Sequence, residues 1–166
     1  KYGNSDKLSS SHCQALSRLA KKPDLWGGNQ EHCEQVFIFA WVERHYPDHY
    51  PLFYAIPNGA ALTGLQGWLM TAEGLDSGIP DMSLDIPAGG YHGLRIELKA
   101  TDKRPSVSEN QKSKLNRLHR AGYCSVLAIG CESAIRLIES YLKLPKYDGE
   151  AIIERPESDR YWINES

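Results

Sequence analysis

The sequence predicts an α/β fold: a central mixed β-sheet flanked by helices on both faces. Two observations carry this. Two short segments, 81–86 and 94–99, alternate apolar and polar residues strictly, as half-buried strands do. Around them, apolar helical stretches and two further strands give the order helix, strand, helix, hairpin, helix, strand, helix along a chain of 166 residues.

Taken in order, residues 1–29 are polar and broken by Pro23, Gly27 and Gly28, and are expected to form a flexible or loosely docked arm. Gln30 to about Tyr46 is a helix whose run Val36–Val42 is dense enough for burial on more than one side, stopped by Pro47 and Pro51. Leu52–Ile56 is a short strand ending in the Pro57-Asn58-Gly59 turn. Residues 60–73 have helical composition despite Gly64 and Gly67, with Leu62, Leu65, Leu69 and Trp68 as the packed side. Trp26 and Trp41 are likewise expected to pack rather than to serve as stacking platforms for bases.

The two alternating segments follow. Met82, Leu84 and Ile86 share one parity, and Asp81, Ser83 and Asp85 the other. Leu94, Ile96 and Leu98 alternate with Arg95, Glu97 and Lys99, and Pro87-Ala88-Gly89-Gly90 between the segments is turn chemistry. Next comes a helix start, with Ser106-x-x-Glu109 and Ser108-x-x-Gln111 as competing capping boxes. Gln111, Leu115, Leu118 and Gly122 fall at helical spacing, which places an amide on the inward side of the first turn. Tyr123–Ile129 is expected to be a buried strand, residues 132–142 an amphipathic helix, and Ala151–Ile153 a candidate final strand.

Composition bounds the function. The chain is 41% apolar and 24% charged, with no run of transmembrane length and no apolar signal core in residues 1–22. A soluble, cytoplasmic, membrane-free protein is expected. Cys13, Cys33, Cys124 and Cys131 form no CxxC pair and are expected to be free thiols. There is no GxxxxGK, so a P-loop ATPase is unsupported. The net charge of −2 argues mildly against nucleic acid, but its distribution points the other way. Arg95, Lys99, Lys103, Arg104, Lys112, Lys114, Arg117 and Arg120 face only Glu97, Asp102 and Glu109 as acids in that stretch. A basic stretch beside carboxylates suits a polyanion whose phosphate must reach a metal.

Pairing the alternating segments around Gly90 sets Asp81 opposite Lys99 and diagonal to Glu97, roughly 7–8 Å away. Two carboxylates so placed can share a divalent cation at ligand distances of about 2.0–2.6 Å. Hard oxygen ligands favour Mg2+ or Mn2+ over zinc. A lysine beside them stays charged, so Lys99 is assigned charge stabilisation and water positioning ahead of general-base duty.

These residues, in this order, resemble the PD-(D/E)xK nucleases of the restriction-endonuclease-like fold, and more narrowly the virus-type replication-repair nuclease domain, VRR-NUC. The resemblance runs from about Glu31 to Leu142. It rests on Glu31-x-x-x-Gln35, Ala55-Ile56-Pro57-Asn58-Gly59, Glu73-Gly74-x-x-x-Gly78-Ile79-Pro80-Asp81 and Gly90-Tyr91-His92-Gly93-Leu94. Ile96-Glu97-Leu98-Lys99, Ser108-x-x-Gln111 and Ala121-Gly122-Tyr123 complete the series. The resemblance implies that Asp81 and Glu97, with the backbone carbonyl of Leu98, bind metal. It also implies that Lys99 orients or activates water, that Glu31 binds metal or its water shell, and that Gln111 supports the site. Glu34 rivals Glu31, one turn along the same helix; the family places its glutamate four residues before the glutamine, here Gln35. The arginine that many members carry after the Asn-Gly turn is replaced by Ala60-Ala61-Leu62. Residues 30–145 would then form the nuclease domain, between the arm at 1–29 and an extension at 146–166. The short format looks like phage and bacterial members that act on branched, flapped or four-way junction DNA, implying DNA as partner and a homodimer. Nothing in the residues separates DNA from RNA.

Overall fold

The computed structural model describes residues 11–22, 24, 29–57, 64–102 and 104–147. The Asn58-Gly59 turn, Ala60–Leu62, Lys103, Trp26 and the expected strand at 151–153 lie outside them. The described elements are helix α1 (Ser11–Lys21), helix α2 (Gln30–His45), strand β1 (Phe53–Ala55), helix α3 (Gly64–Ala72), strand β2 (Met82–Leu84), strand β3 (Leu94–Lys99), helix α4 (Glu109–Arg120), strand β4 (Cys124–Ile129) and helix α5 (Gly130–Leu142).

The sheet order is β1-β2-β3-β4; β1–β2 and β2–β3 are antiparallel and β3–β4 is parallel, joined through α4. This is the mixed sheet expected. Leu94, Ile96 and Leu98 of β3 point to one face and are buried with Ile38 and Val42 of α2 and Ala134 and Ile138 of α5. The opposite face carries Arg95, Glu97 and Lys99, and there α4 is tied to the sheet by the Ser125 hydroxyl, which donates to the Leu115 carbonyl at 2.7 Å. Helices thus cover both faces. That is why Ser83 and Glu97 are fully buried, although alternation alone predicts half-buried strands.

Three expectations change. Part of the polar arm is α1, a helix packed on α2, with Leu19 buried and the His12 ring stacked on Phe39 at 5.5 Å. His12, Ala15, Leu16 and Leu19 fall at i, i+3, i+4 and i+7, a signal hidden by the polar composition around them. Among the described residues strand β4 is an edge strand rather than a buried one: only its Ala128 is buried, while Leu127 and Ile129 are exposed. On α3, Trp68 and Leu69 face solvent, Trp68 at 66% exposure, so neither belongs to the core.

The hairpin register also differs. Ala88 pairs with Tyr91 across Gly89-Gly90, both at positive φ, a two-residue turn of the kind glycine permits. One extra residue on the first arm, which contains Pro87, then shifts the pairing to Leu84 with Leu94 and Met82 with Ile96. Extending that register by one residue sets Asp81 opposite Glu97, not Lys99. The shift is an even number of residues, so the charged groups still share a face.

Gly78 adopts φ +78°, and a Cβ there would lie 2.9 Å from the Asn110 carbonyl carbon and 3.0 Å from the Gln111 nitrogen. Neither backbone atom can retreat without moving the start of α4. Gly78→Ala is therefore expected to destabilise the fold by roughly 1–3 kcal/mol, measured by denaturant unfolding.

Candidate active site

Asp81 sits just before β2 and is pinned from both neighbours. Its carbonyl accepts from the Ile56 amide at 2.8 Å, beyond the end of β1, and its Oδ2 accepts from the Leu98 amide of β3 at 2.7 Å. The buried Pro80 precedes it. The loop leading in is held to α4 by an ion pair between Asp76 and Lys114 and by the Asn110 amide donating to the Ser77 hydroxyl at 3.3 Å.

Glu97 occupies the middle of the covered face with no solvent exposure. Its Oε1 accepts from Lys99 Nζ at 2.7 Å and from the Gln111 side-chain amide. Its Oε2 is buried with no hydrogen-bond partner. Burial, reinforced by the negative charges of Asp81 and Glu31 and opposed by Lys99, raises the carboxyl from its ordinary 4.5 to about 7.

Gln111 is held by the Ser108 capping box, which settles the competing helix starts. The Ser108 hydroxyl accepts from the Gln111 amide at 3.2 Å, and Gln111 Oε1 accepts from the Ser108 amide at 2.9 Å. This leaves the Gln111 Nε2 free to donate to Glu97.

The structure therefore brings Asp81, Glu97, Lys99 and Gln111 together, with Leu98 contributing its amide to Asp81. Glu31 lies apart from this hydrogen-bonded set. It is exposed, lines a groove with Lys99, and acts on Glu97 through its charge. Glu34 is 4% exposed, and its Oε1 accepts from Gln30 at 2.8 Å and from the Thr101 hydroxyl at 2.5 Å. Its Oε2 is buried without a partner. Glu34 thus straps α2 to the segment after Lys99, a contact the sequence pattern did not reveal. Gln35 is half-buried on α2.

Much of the basic stretch is internally neutralised. Besides Lys99 and Lys114, Lys112 pairs with Glu109 at 2.7 Å and Arg95 with Asp85 at 2.9 Å. Burial pushes the Asp85 carboxyl up, but the Tyr54 and Ser83 hydroxyls and Arg95 outweigh it and hold it below the usual range. Arg95 also lies over the Tyr123 ring at 4.3 Å.

A metal has to fit this donor set. Among the described residues no three His, Cys, Asp or Glu side chains close on one point as a metal cage. Magnesium does not need one: it keeps several waters and takes one or two carboxylates. The bare, buried Oε2 of Glu97 and the adjacent Asp81 suit that demand, because a buried carboxylate oxygen without a partner is costly.

A solved structure described as a VRR_NUC domain protein superposes with a TM-score of 0.63 and 29% sequence identity, over 72% of this chain and 93% of that one. No family model matches the chain. No curated protein matches it either. The class the fold defines is a restriction-endonuclease-like α/β domain. Within that class the likeness is to VRR-NUC, a nuclease-type domain.

Among the described residues all four cysteines are free, and no helix is long and apolar enough to cross a membrane.

Proposed function

We propose that this chain is a Mg2+- or Mn2+-dependent endonuclease that hydrolyses DNA phosphodiester bonds at the Asp81–Glu97–Lys99 centre. One observation carries the reading. Lys99 and Gln111 both saturate a single oxygen of Glu97, leaving the other buried, unpartnered and adjacent to Asp81. Glu34 shows the same half-satisfied pattern, so what sets Glu97 apart is the charge of a second carboxylate, Asp81, acting on it and the Lys99 amine bonded to it.

Asp81 and Glu97 would hold the metal, with the Leu98 carbonyl, and Glu31 would act directly or through its water shell. When bound, such a metal neutralises phosphate charge and supplies an activated water. The chain's own groups do the rest. Lys99, bonded to Glu97 Oε1, stabilises the negative charge that builds on the phosphorus oxygens and positions the attacking water. Gln111 fixes the plane of the Glu97 carboxylate, and the Leu98 amide fixes that of Asp81.

Plasmid nicking with magnesium or manganese tests this, comparing wild type with Asp81→Ala and Lys99→Ala. Equal cleavage by all three overturns it and favours a DNA-binding scaffold that kept the fold. The finer reading is a phage or bacterial cytoplasmic enzyme, acting as a homodimer on branched or four-way junction DNA. Two-fold symmetry would set two such centres on opposed strands. A panel of labelled flaps, junctions, nicked duplexes and single strands, run beside sedimentation, tests that: a monomer without junction preference removes it.

A further inference from the structure

Beside the reacting centre lies an open groove of about 500 Å³, lined by Asn29, Glu31 and His32 on one wall and by Lys99, Arg104 and Ser106 on the other. Lys99 belongs to both the groove and the centre, and Glu31 lines the groove while its charge acts on Glu97, so the two are continuous. A phosphodiester held at Lys99 must send its chain either along this groove or away from it.

The wall chemistry favours the groove. Of the cations between Arg95 and Arg120, most are committed to carboxylates: Arg95, Lys99, Lys112 and Lys114 have direct partners, and Arg117 acts on Asp76. The Arg104 side chain is exposed and has no hydrogen-bond or ion-pair partner among the described residues. His32, across the groove, is in the same condition. A guanidinium with its planar fork of donors free is suited to a phosphate, which accepts two parallel hydrogen bonds from it. The Ser106 hydroxyl and Asn29 amide add neutral donors of the type that contact nucleic-acid backbones. One carboxylate outside the reacting centre, Asp102, also lines the groove and opposes an anion there.

We propose that this groove seats the DNA backbone flanking the scissile phosphate, with Arg104 as its principal phosphate contact. The inference rests on the nuclease reading above. It assigns the direction in which the strand leaves the centre and a residue outside the motif that grips it.

The test is fluorescence-anisotropy binding of a labelled DNA duplex, in calcium, across a salt series. Wild type, Arg104→Ala and Asp102→Asn are compared, with Arg136→Ala on α5 as control, since Arg136 is not among the groove's lining residues and pairs with Glu132. Arg104→Ala is expected to weaken binding roughly tenfold. It should also make the slope of log K against log salt shallower by about 0.7–0.9, one phosphate contact. Asp102→Asn is expected to tighten binding, and the control to leave it unchanged. An unaltered affinity and slope in Arg104→Ala, or weaker binding by Asp102→Asn, overturns the groove assignment. If wild type still cleaves DNA and Asp81→Ala does not, the nuclease reading survives that failure. If wild type neither binds nor cleaves, both fall.

Discussion

Asp81→Asn is expected to lower magnesium-supported DNA cleavage by on the order of 10³-fold or more, with the fold intact. The substitution keeps the size of the side chain, and the amide oxygen can still accept from the Leu98 N–H that pins Asp81 to β3. What it removes is a negative charge next to Glu97. Lys99→Ala is expected to cost about 10²–10³-fold in kcat, the scale typical of losing one transition-state donor. Lys99→Arg should restore little, because the guanidinium cannot reproduce a compact ammonium placed 2.7 Å from Glu97 Oε1. Circular dichroism and thermal melts accompany the rates. Wild-type cleavage by Asp81→Asn would remove the carboxylate pair from the chemistry.

Glu97→Gln should separate stability from activity. In the folded, metal-free protein the Glu97 carboxyl titrates near 7, against about 4.5 when unfolded. Between those values the native state binds more protons than the unfolded state, so stability falls as pH rises. The group's contribution is best below about pH 4.5 and is lost on rising through 7. At pH 8 the ionised Glu97 therefore weighs against folding by on the order of 3 kcal/mol. The amide introduced by Glu97→Gln carries no charge, and its carbonyl can still accept from Lys99 and Gln111. The variant is expected to melt higher than metal-free wild type at pH 8, to lose most of that advantage at pH 5, and to be inactive. Magnesium should raise the melting temperature of wild type, and at about pH 6–7 its binding should release protons. The variant should do neither. A Glu97→Gln protein that melts lower than wild type at pH 8 would contradict the burial argument.

A mixed sheet and the order of elements along the chain were legible because alternation at 81–86 and 94–99 marks strands independently of what pairs them. The face shared by Asp81, Glu97 and Lys99 was legible for the same reason: parity survives a two-residue change in register. The register itself was not, because it depends on an extra residue near Pro87 that alternation cannot place. Helix α1 was obscured by its polar composition, although His12, Ala15, Leu16 and Leu19 carried its period. Burial of Glu97 was invisible for a different reason. Which residues α4 covers depends on the crossover from β3 to β4, a long-range contact with no local trace in Glu97-Leu98-Lys99. The basic stretch misled in part, because charge counting ignores that Lys112 and Lys114 are neutralised by Glu109 and Asp76.

Gln111 uses both ends of one amide: its oxygen closes the first turn of α4, and its nitrogen holds the acid at the centre. Glutamate would serve the helix equally well, since either residue completes a capping box. It would also set a second carboxylate against Glu97 Oε1, where a donor now sits. The choice between two near-isosteric side chains is thus made by the donor that Glu97 needs rather than by the helix. Any loosening of that first turn would be felt at once by the acid, so fraying of α4 and misalignment of the centre are a single event.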